Sequence, residues 1–244
     1  MMNPYLVRDD DQVPWSCLRV RGDEARSFLQ GQLSCDVGDL VVGQHRAGLL
    51  LAPSGEVVAV LDCVGTDDGI DLVTRREVGD DALRSLRRFL LRTRCEISLV
   101  ADVEGPYATY GDQVRRGEPG PREWAPGLAA HTFGTRFVAR HVSFSKGCFT
   151  GQELVGRLDA RGGNVPFRLA RVTGTSLDDM QRVCRSAGPQ GERAVQGLRT
   201  VLIGEPFVGL GLVHRTLTGD QPSLDDFRVR VELLHGEPSE APIA

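Results

Sequence analysis

No two of the six cysteines form a C-x-x-C pair, and the five histidines include no H-x-x-x-H pair. No histidine lies within four residues of a cysteine. That spacing lacks the usual structural zinc frameworks, so no metal site is expected. The scatter of Cys17, Cys35, Cys63, Cys95, Cys148 and Cys184 suits a reducing compartment better than a disulfide framework. No run approaches the ~18 apolar residues that a membrane helix needs, so no membrane partner is expected. The first twelve residues carry three consecutive aspartates and no apolar stretch, unlike a secretory signal. Excess basic charge is lacking too: 29 Lys and Arg stand against 33 Asp and Glu, a net charge of −4, so charge balance points to no direct nucleic-acid contact. From these absences the protein is expected to be cytoplasmic, and it is read as a monomer.

What is present is an ordinary globular composition, 41% hydrophobic and 25% charged over 244 residues, enough for a full core in one or two domains. Alternation predicts a first strand over Cys17 to Arg21, a turn at Gly22, and a helix capped by Asp23 that runs to about Leu33. Pro53-Ser54-Gly55 joins two apolar runs into a hairpin with arms 48–51 and 57–64. A strand at 70–74 follows. A helix from Asp80 or Asp81 to about Leu91 has Leu83, Leu86, Phe89 and Leu90 as its apolar stripe. Arg84, Arg87, Arg88, Arg92 and Arg94 crowd that helix, either as a solvated face or as a surface for an anionic ligand. A closing strand is expected over Cys95 to Val100, and this order of elements predicts an α+β domain with mixed or antiparallel sheets. Gly117 to Gly127, rich in Gly and Pro, is the linker candidate. Beyond Phe167, short apolar runs between turns predict a small all-β barrel or sandwich, and 236–244 reads as a disordered tail. The expected divisions are therefore 1–116, a linker with the motif segment over 117–165, a barrel over 166–235, and the tail.

The most distinctive stretch is Lys146-Gly147-Cys148-Phe149-Thr150-Gly151-Gln152-Glu153. Thr150 and Glu153 have the spacing of a capping box for a helix over about 151–158. Cys148 would lie near the positive end of that helix, with Lys146 beside it, and both charges favour a thiolate. Gly147 and Gly151 leave the sulfur open to a ligand or partner. The competing reading is a structural cysteine beside a glycine turn. The other five cysteines are read as structural.

This stretch, extended by Leu154-Val155-Gly156-Arg157 and Arg161-Gly162, closely resembles the signature of the YgfZ family, within the folate-binding superfamily of the glycine-cleavage T-protein. Phe149 replaces that signature's usual tyrosine. Gly22-Asp23-Glu24-Ala25, Phe28-Leu29-Gln30-Gly31-Gln32-Leu33-Ser34-Cys35-Asp36-Val37 and the hairpin Leu50 to Val57 resemble the superfamily's N-terminal patterns. The resemblance covers most of 15–100 and 144–170, whereas 101–143 match poorly and are shortened. It implies a T-protein-like multi-domain fold around a folate-sized opening, closed by a C-terminal β-barrel. It also implies tetrahydrofolate or a derivative as cofactor, iron–sulfur client or assembly proteins as partners, a possible transient iron–sulfur cluster, and an indirect effect on transfer RNA modification. On this reading Cys148 and Lys146 are the catalytic residues. Trp15, Gln32, Gly147, Gly151, Gln152 and Arg157 are the cofactor-binding ones. Where the aminomethyltransferase branch carries an acidic pair, this chain has Ala59-Val60, with Asp62 displaced. It therefore lacks that general acid–base group, and glycine-cleavage activity is not expected. Two alternatives stand beside the accessory-factor reading: a folate-dependent one-carbon transferase, and a binding module that has lost its ligand.

Overall fold

A computed structural model describes residues 4–124, 127–186, 195–217 and 229–234. The chain opens with a short strand, β1 (Tyr5–Val7), then β2 (Trp15–Arg21) and helix α1 (Ala25–Gln32). The hairpin follows as β3 (His45–Leu51) and β4 (Val57–Thr66), then β5 (Gly69–Arg75), α2 (Gly79–Arg87) and β6 (Glu96–Ala101). Strands β2 to β6 form one sheet in the order β3-β4-β5-β2-β6, antiparallel at every pairing. Strict alternation drives it. Along β4 buried and half-buried residues alternate, so Ala59, Leu61 and Cys63 enter the core beneath α1 and α2 while Val60 and Asp62 share the other face.

The linker candidate, 117–127, carries a short helix, α4 (Pro121–Trp124), and is flanked by α3 (Tyr110–Arg116) on one side and by a 3₁₀ turn at Ala130–Phe133 and α5 (Thr135–His141) on the other. Trp124, Phe133 and Phe137 are buried there, in a core that also takes Trp15, Leu49 and Val57 from the first sheet and Phe167, Leu169 and Leu210 from the second. Burying that much apolar surface is what holds Gly- and Pro-rich chain in place.

After the motif helix α6 (Gln152–Asp159) come β7 (Phe167–Gly174), α7 (Leu177–Ser186), β8 (Gly197–Leu202), β9 (Phe207–His214) and β10 (Val229–Leu233). Their sheet has the order β1-β8-β9-β7-β10. Among the described residues the sheet is open, so the expected barrel is not confirmed. Nor is the region all-β, because Met180, Val183 and Cys184 of α7 pack into its core at helical spacing. The edge strand β1 comes from the start of the chain and pairs in parallel with β8, so the second sheet is not made from 166–235 alone. The tail 236–244 lies outside the described residues.

Candidate functional site

The two sequence signatures meet in space. Lys146 Nζ donates to the carbonyl oxygens of Gln30, Leu33 and Cys35 at 2.6, 2.7 and 2.9 Å. An ammonium has three donors, so all of them are spent on carbonyls at and just beyond the end of α1. A cation at a helix C-terminus also meets the negative end of the helix dipole. The same loop is pinned twice more: Thr150 N donates to Gly31 O at 3.0 Å, and Thr150 Oγ1 to Gln32 Oε1 at 3.0 Å. Lys146 also lies over the Phe149 ring, 5.4 Å from its centroid. Partial burial draws the lysine below its ordinary pKa, desolvation outweighing the opposite pull of Cys35 and Asp36.

Lys146 is therefore a staple between the motif and α1, and its hydrogen bonds are not offered to the motif thiol. Cys148 is exposed, two residues beyond the staple. The expected capping box does not form. Gly151 occupies the N-cap in a left-handed conformation, φ 79°, with no side-chain cap bond. Thr150 is turned to Gln32 instead, and Gln152 Oε1 accepts from Phe149 N at 3.1 Å. The two motif glycines differ. A Cβ at Gly151 would lie 2.5 Å from Ala52 O and 2.8 Å from Leu51 Cβ, so this glycine lets the motif sit on the hairpin. A Cβ at Gly147 would meet nothing within 4 Å, so it is Gly147 that leaves space beside Cys148. Arg157 is exposed on α6.

Below the staple lies a second thiol arrangement. Cys35 Sγ and Cys63 Sγ are 3.8 Å apart, both buried. They meet over Gly48, where a Cβ would stand 2.4 Å from Cys35 Sγ. The hydrogen bond shared with Cys63 lowers the Cys35 pKa, with Lys146 assisting against desolvation, while that bond and burial raise Cys63.

Trp15 lies elsewhere on the first sheet, on β2, with β5 between it and the hairpin. It is 7% exposed, and its indole Nε1 donates to Tyr107 O at 2.9 Å. It lines a cavity of about 720 Å³ together with Tyr5, Tyr110, Glu77, Asp102 and Arg122 among others. None of Gln32, Gly147, Gly151, Gln152 and Arg157 lines that cavity. The structure thus gathers Lys146, Gln32, Gly151 and Gln152 around the motif and leaves Trp15 at a separate opening. Sequence reasoning missed Glu77, Tyr110 and Arg122. The available signal was the arginine pair Arg75-Arg76 closing a buried strand. Arg75 is 3% exposed, and so large a buried cation requires organised acceptors.

At the position of the acidic pair, Ala59 is buried and Val60 half-buried, and Asp62 bonds His45 Nδ1 at 2.7 Å. The arginine surface of α2 is partly neutralised, by Asp81 on Arg84 and by Glu24 on Arg94. No described helix is long and apolar enough to cross a membrane, and no group of three or more His, Cys, Asp or Glu among the described residues is arranged to hold a metal ion.

No family model matches the chain. Curated relatives do. The tRNA-modifying protein YgfZ of Hamiltonella defensa is 29% identical over 102 residues, 42% of this chain and 30% of the relative. The protein of the same name from Vibrio atlanticus is 23% identical over 223 residues, covering 67% of this chain and 69% of the relative. That from Photobacterium profundum is 26% identical over 98 residues, 40% and 29% of the two chains. Two of these three matches thus span less than a third of the relative's length. Among solved structures, aminomethyltransferase T of the glycine cleavage system from Bartonella henselae matches with a TM-score of 0.63 at 11% identity, over 93% of this chain and 86% of that one. The fold is T-protein-like.

Proposed function

Since relatives and fold together support the YgfZ family with a T-protein-like architecture, we propose that the protein is a folate-binding accessory factor for iron–sulfur proteins, acting through Cys148. The observation that carries this is the staple. Three carbonyls at and just beyond the end of α1 hold Lys146, which fixes a loop whose cysteine alone among the six is exposed. A thiol presented in this way suits transfer to or from a partner. Its sulfur supplies one ligand to a cluster that passes between client proteins as cargo, and the client supplies the others.

Tetrahydrofolate fits the residues present. A cavity of about 720 Å³ lies within the range of small-molecule sites, and Trp15, Tyr5 and Tyr110 give it aromatic walls. When bound, the folate supplies a reduced one-carbon carrier, and the protein orients it and shields it from water. Any effect on transfer RNA modification, the activity named for the relatives, passes through a client enzyme.

The test is complementation of a strain lacking its own factor. Cys148→Ala is expected to fold with an unchanged melting temperature and to fail to restore client activity. Full rescue by this variant would remove Cys148 from the mechanism.

A further inference from the structure

Cys35 and Cys63 take no part in the site proposed above, yet they are placed as a pair. Their sulfurs stand 3.8 Å apart in the core under α1 and α2. A disulfide sets its sulfurs about 2.05 Å apart, so closing the pair brings them together by less than ~2 Å. Gly48 makes the approach possible. A Cβ there would stand 2.4 Å from Cys35 Sγ and 3.5 Å from Cys63 Sγ, so a larger residue would drive Cys35 away. The two thiols are unequally held. Cys63 lies within β4, paired with Arg46 on one side and Leu72 on the other. Cys35 lies in a bend between α1 and β3, and is the partner with freedom to move. Its carbonyl oxygen accepts from Lys146 at 2.9 Å. The chemistry is unequal too. The shared hydrogen bond, with Lys146 and Arg46 assisting, lowers the Cys35 pKa, whereas the same bond and burial raise Cys63. Cys35 is 3% exposed and Cys63 0%, so a small oxidant meets Cys35 first. A thiol of lowered pKa with a second thiol in reach is the arrangement that oxidises reversibly.

We propose that Cys35 and Cys63 form a reversible disulfide with hydrogen peroxide as the oxidant, and that its closure draws the Cys35 carbonyl off Lys146. Cys35 Sγ attacks one peroxide oxygen, the O–O bond breaks, and the departing oxygen takes the thiol proton and leaves as water. Cys63 Sγ then attacks the sulfur of the Cys35 sulfenic acid. The S–S bond forms, the S–O bond breaks, and the hydroxide leaves with the Cys63 proton as a second water. Two thiols have given up two electrons, and one peroxide has become two waters. A dithiol reductant returns both thiols. Lys146 lies two residues before Cys148, so the state of the buried pair reaches the motif loop without chemistry at Cys148. The inference depends neither on the folate reading nor on the role of Cys148.

The experiment treats the full chain with hydrogen peroxide, in wild type and in Cys148→Ala, which removes the exposed thiol. Circular dichroism checks that the protein stays folded, and peptides are mapped without reduction. A Cys35–Cys63 link that dithiothreitol reverses is expected in both. In Cys63→Ser the sulfenic acid is stranded, so a 1,3-diketone should label Cys35; in Cys35→Ser, Cys63 should stay unlabelled. Coupling to the motif loop is read from the oxidation equilibrium in a dithiol–disulfide buffer, because linkage is reciprocal. If closure gives up a charge-assisted bond from Lys146, then Lys146→Met favours the disulfide about tenfold, or ~30 mV for two electrons. Cys35 and Cys63 left as free thiols, or a link between other cysteines, would overturn the pair. An equilibrium unmoved by Lys146→Met, or moved toward the thiols, would overturn the coupling and leave the disulfide standing.

Discussion

The ammonium of Lys146 lies 2.7 Å from the carbonyl oxygen of Leu33, 113 residues earlier in the chain. Two signatures that look independent in the sequence are thus one structural unit, the second closing the end of the helix formed by the first. Because Lys146 has no donor left over, the motif lysine positions the loop rather than the sulfur. Replacing Lys146 with Met keeps the stem and removes three charge-assisted hydrogen bonds. The expected loss is about 2–4 kcal/mol, since the orphaned carbonyls of Gln30, Leu33 and Cys35 gain only partial access to water. Thermal unfolding would measure it. An unchanged melting temperature would mean that the three bonds contribute nothing net.

The two glycines beside Cys148 separate by substitution. Gly151→Ala forces a left-handed φ of 79° on a side chain that would collide with Ala52 O and Leu51, and should cost about 2 kcal/mol or more. Gly147→Ala meets open space and should stay within about 0.5 kcal/mol. Urea unfolding of both variants checks the contrast. Equal stabilities would contradict the packing of the motif on the hairpin.

That contrast also shows what the sequence could and could not reveal. The hairpin arms were legible from alternation around Pro53-Ser54-Gly55, and the strand at Gly69–Arg75 from its turn. Helix α2 was legible in its start but ends at Arg87, and Phe89 is exposed rather than part of its stripe. Over 101–143 the elements are helices of seven residues or fewer, too short to show a period, and they hold because tertiary burial of Phe133 and Phe137 outweighs weak local propensity. Lys146 was legible as a special residue but not in its role. A three-carbonyl staple depends on where α1 ends in space, and spacing along the chain does not encode that.

Thiol reactivity follows burial. Cys17, Cys35, Cys63 and Cys184 are buried, Cys95 is half-buried and Cys148 is exposed. Brief treatment of the native, reduced protein with iodoacetamide should place the first label on Cys148, with Cys95 second. Burial raises the Cys95 thiol above its usual pKa, which slows it further. Peptide mass spectrometry after the reaction reads the order. Label on Cys35 before Cys148 would mean that the loop over the buried thiol pair opens readily.

Acid should weaken the fold through His141. Burial, with the charge of Arg140, lowers its pKa from 6.5 to about 4, and its Nδ1 bonds Phe137 O at 2.7 Å, which leaves the neutral ring packed on Phe137. In the unfolded chain the imidazole binds a proton near its ordinary pKa, whereas in the folded chain it does not until about pH 4. Its contribution is therefore fully present above pH ~6.5 and is lost progressively as pH falls to about 4, on the order of 3 kcal/mol in total. Stability measured in urea at pH 7.5, 6, 5 and 4 should fall along that course. His141→Gln, which cannot titrate, should flatten it. A parallel pH profile in the variant would assign the acid sensitivity to other groups.

Trp15 and Trp124 are the two tryptophans of the chain; both are buried, and Trp15 is the one that lines the cavity. A ligand entering that cavity should quench Trp15 and leave Trp124 as an internal standard. Titration of tetrahydrofolate into the reduced protein is therefore expected to give saturable, partial quenching. In Trp15→Phe the aromatic wall is kept, while the bond from Nε1 to Tyr107 O is lost at a cost of about 1 kcal/mol, so the fold should survive. Calorimetric binding in that variant with no fluorescence change would fix the ligand beside Trp15. Undiminished quenching in Trp15→Phe would put the ligand near Trp124, within the helical segment that replaces the expected linker, and would remove Trp15 from the binding site.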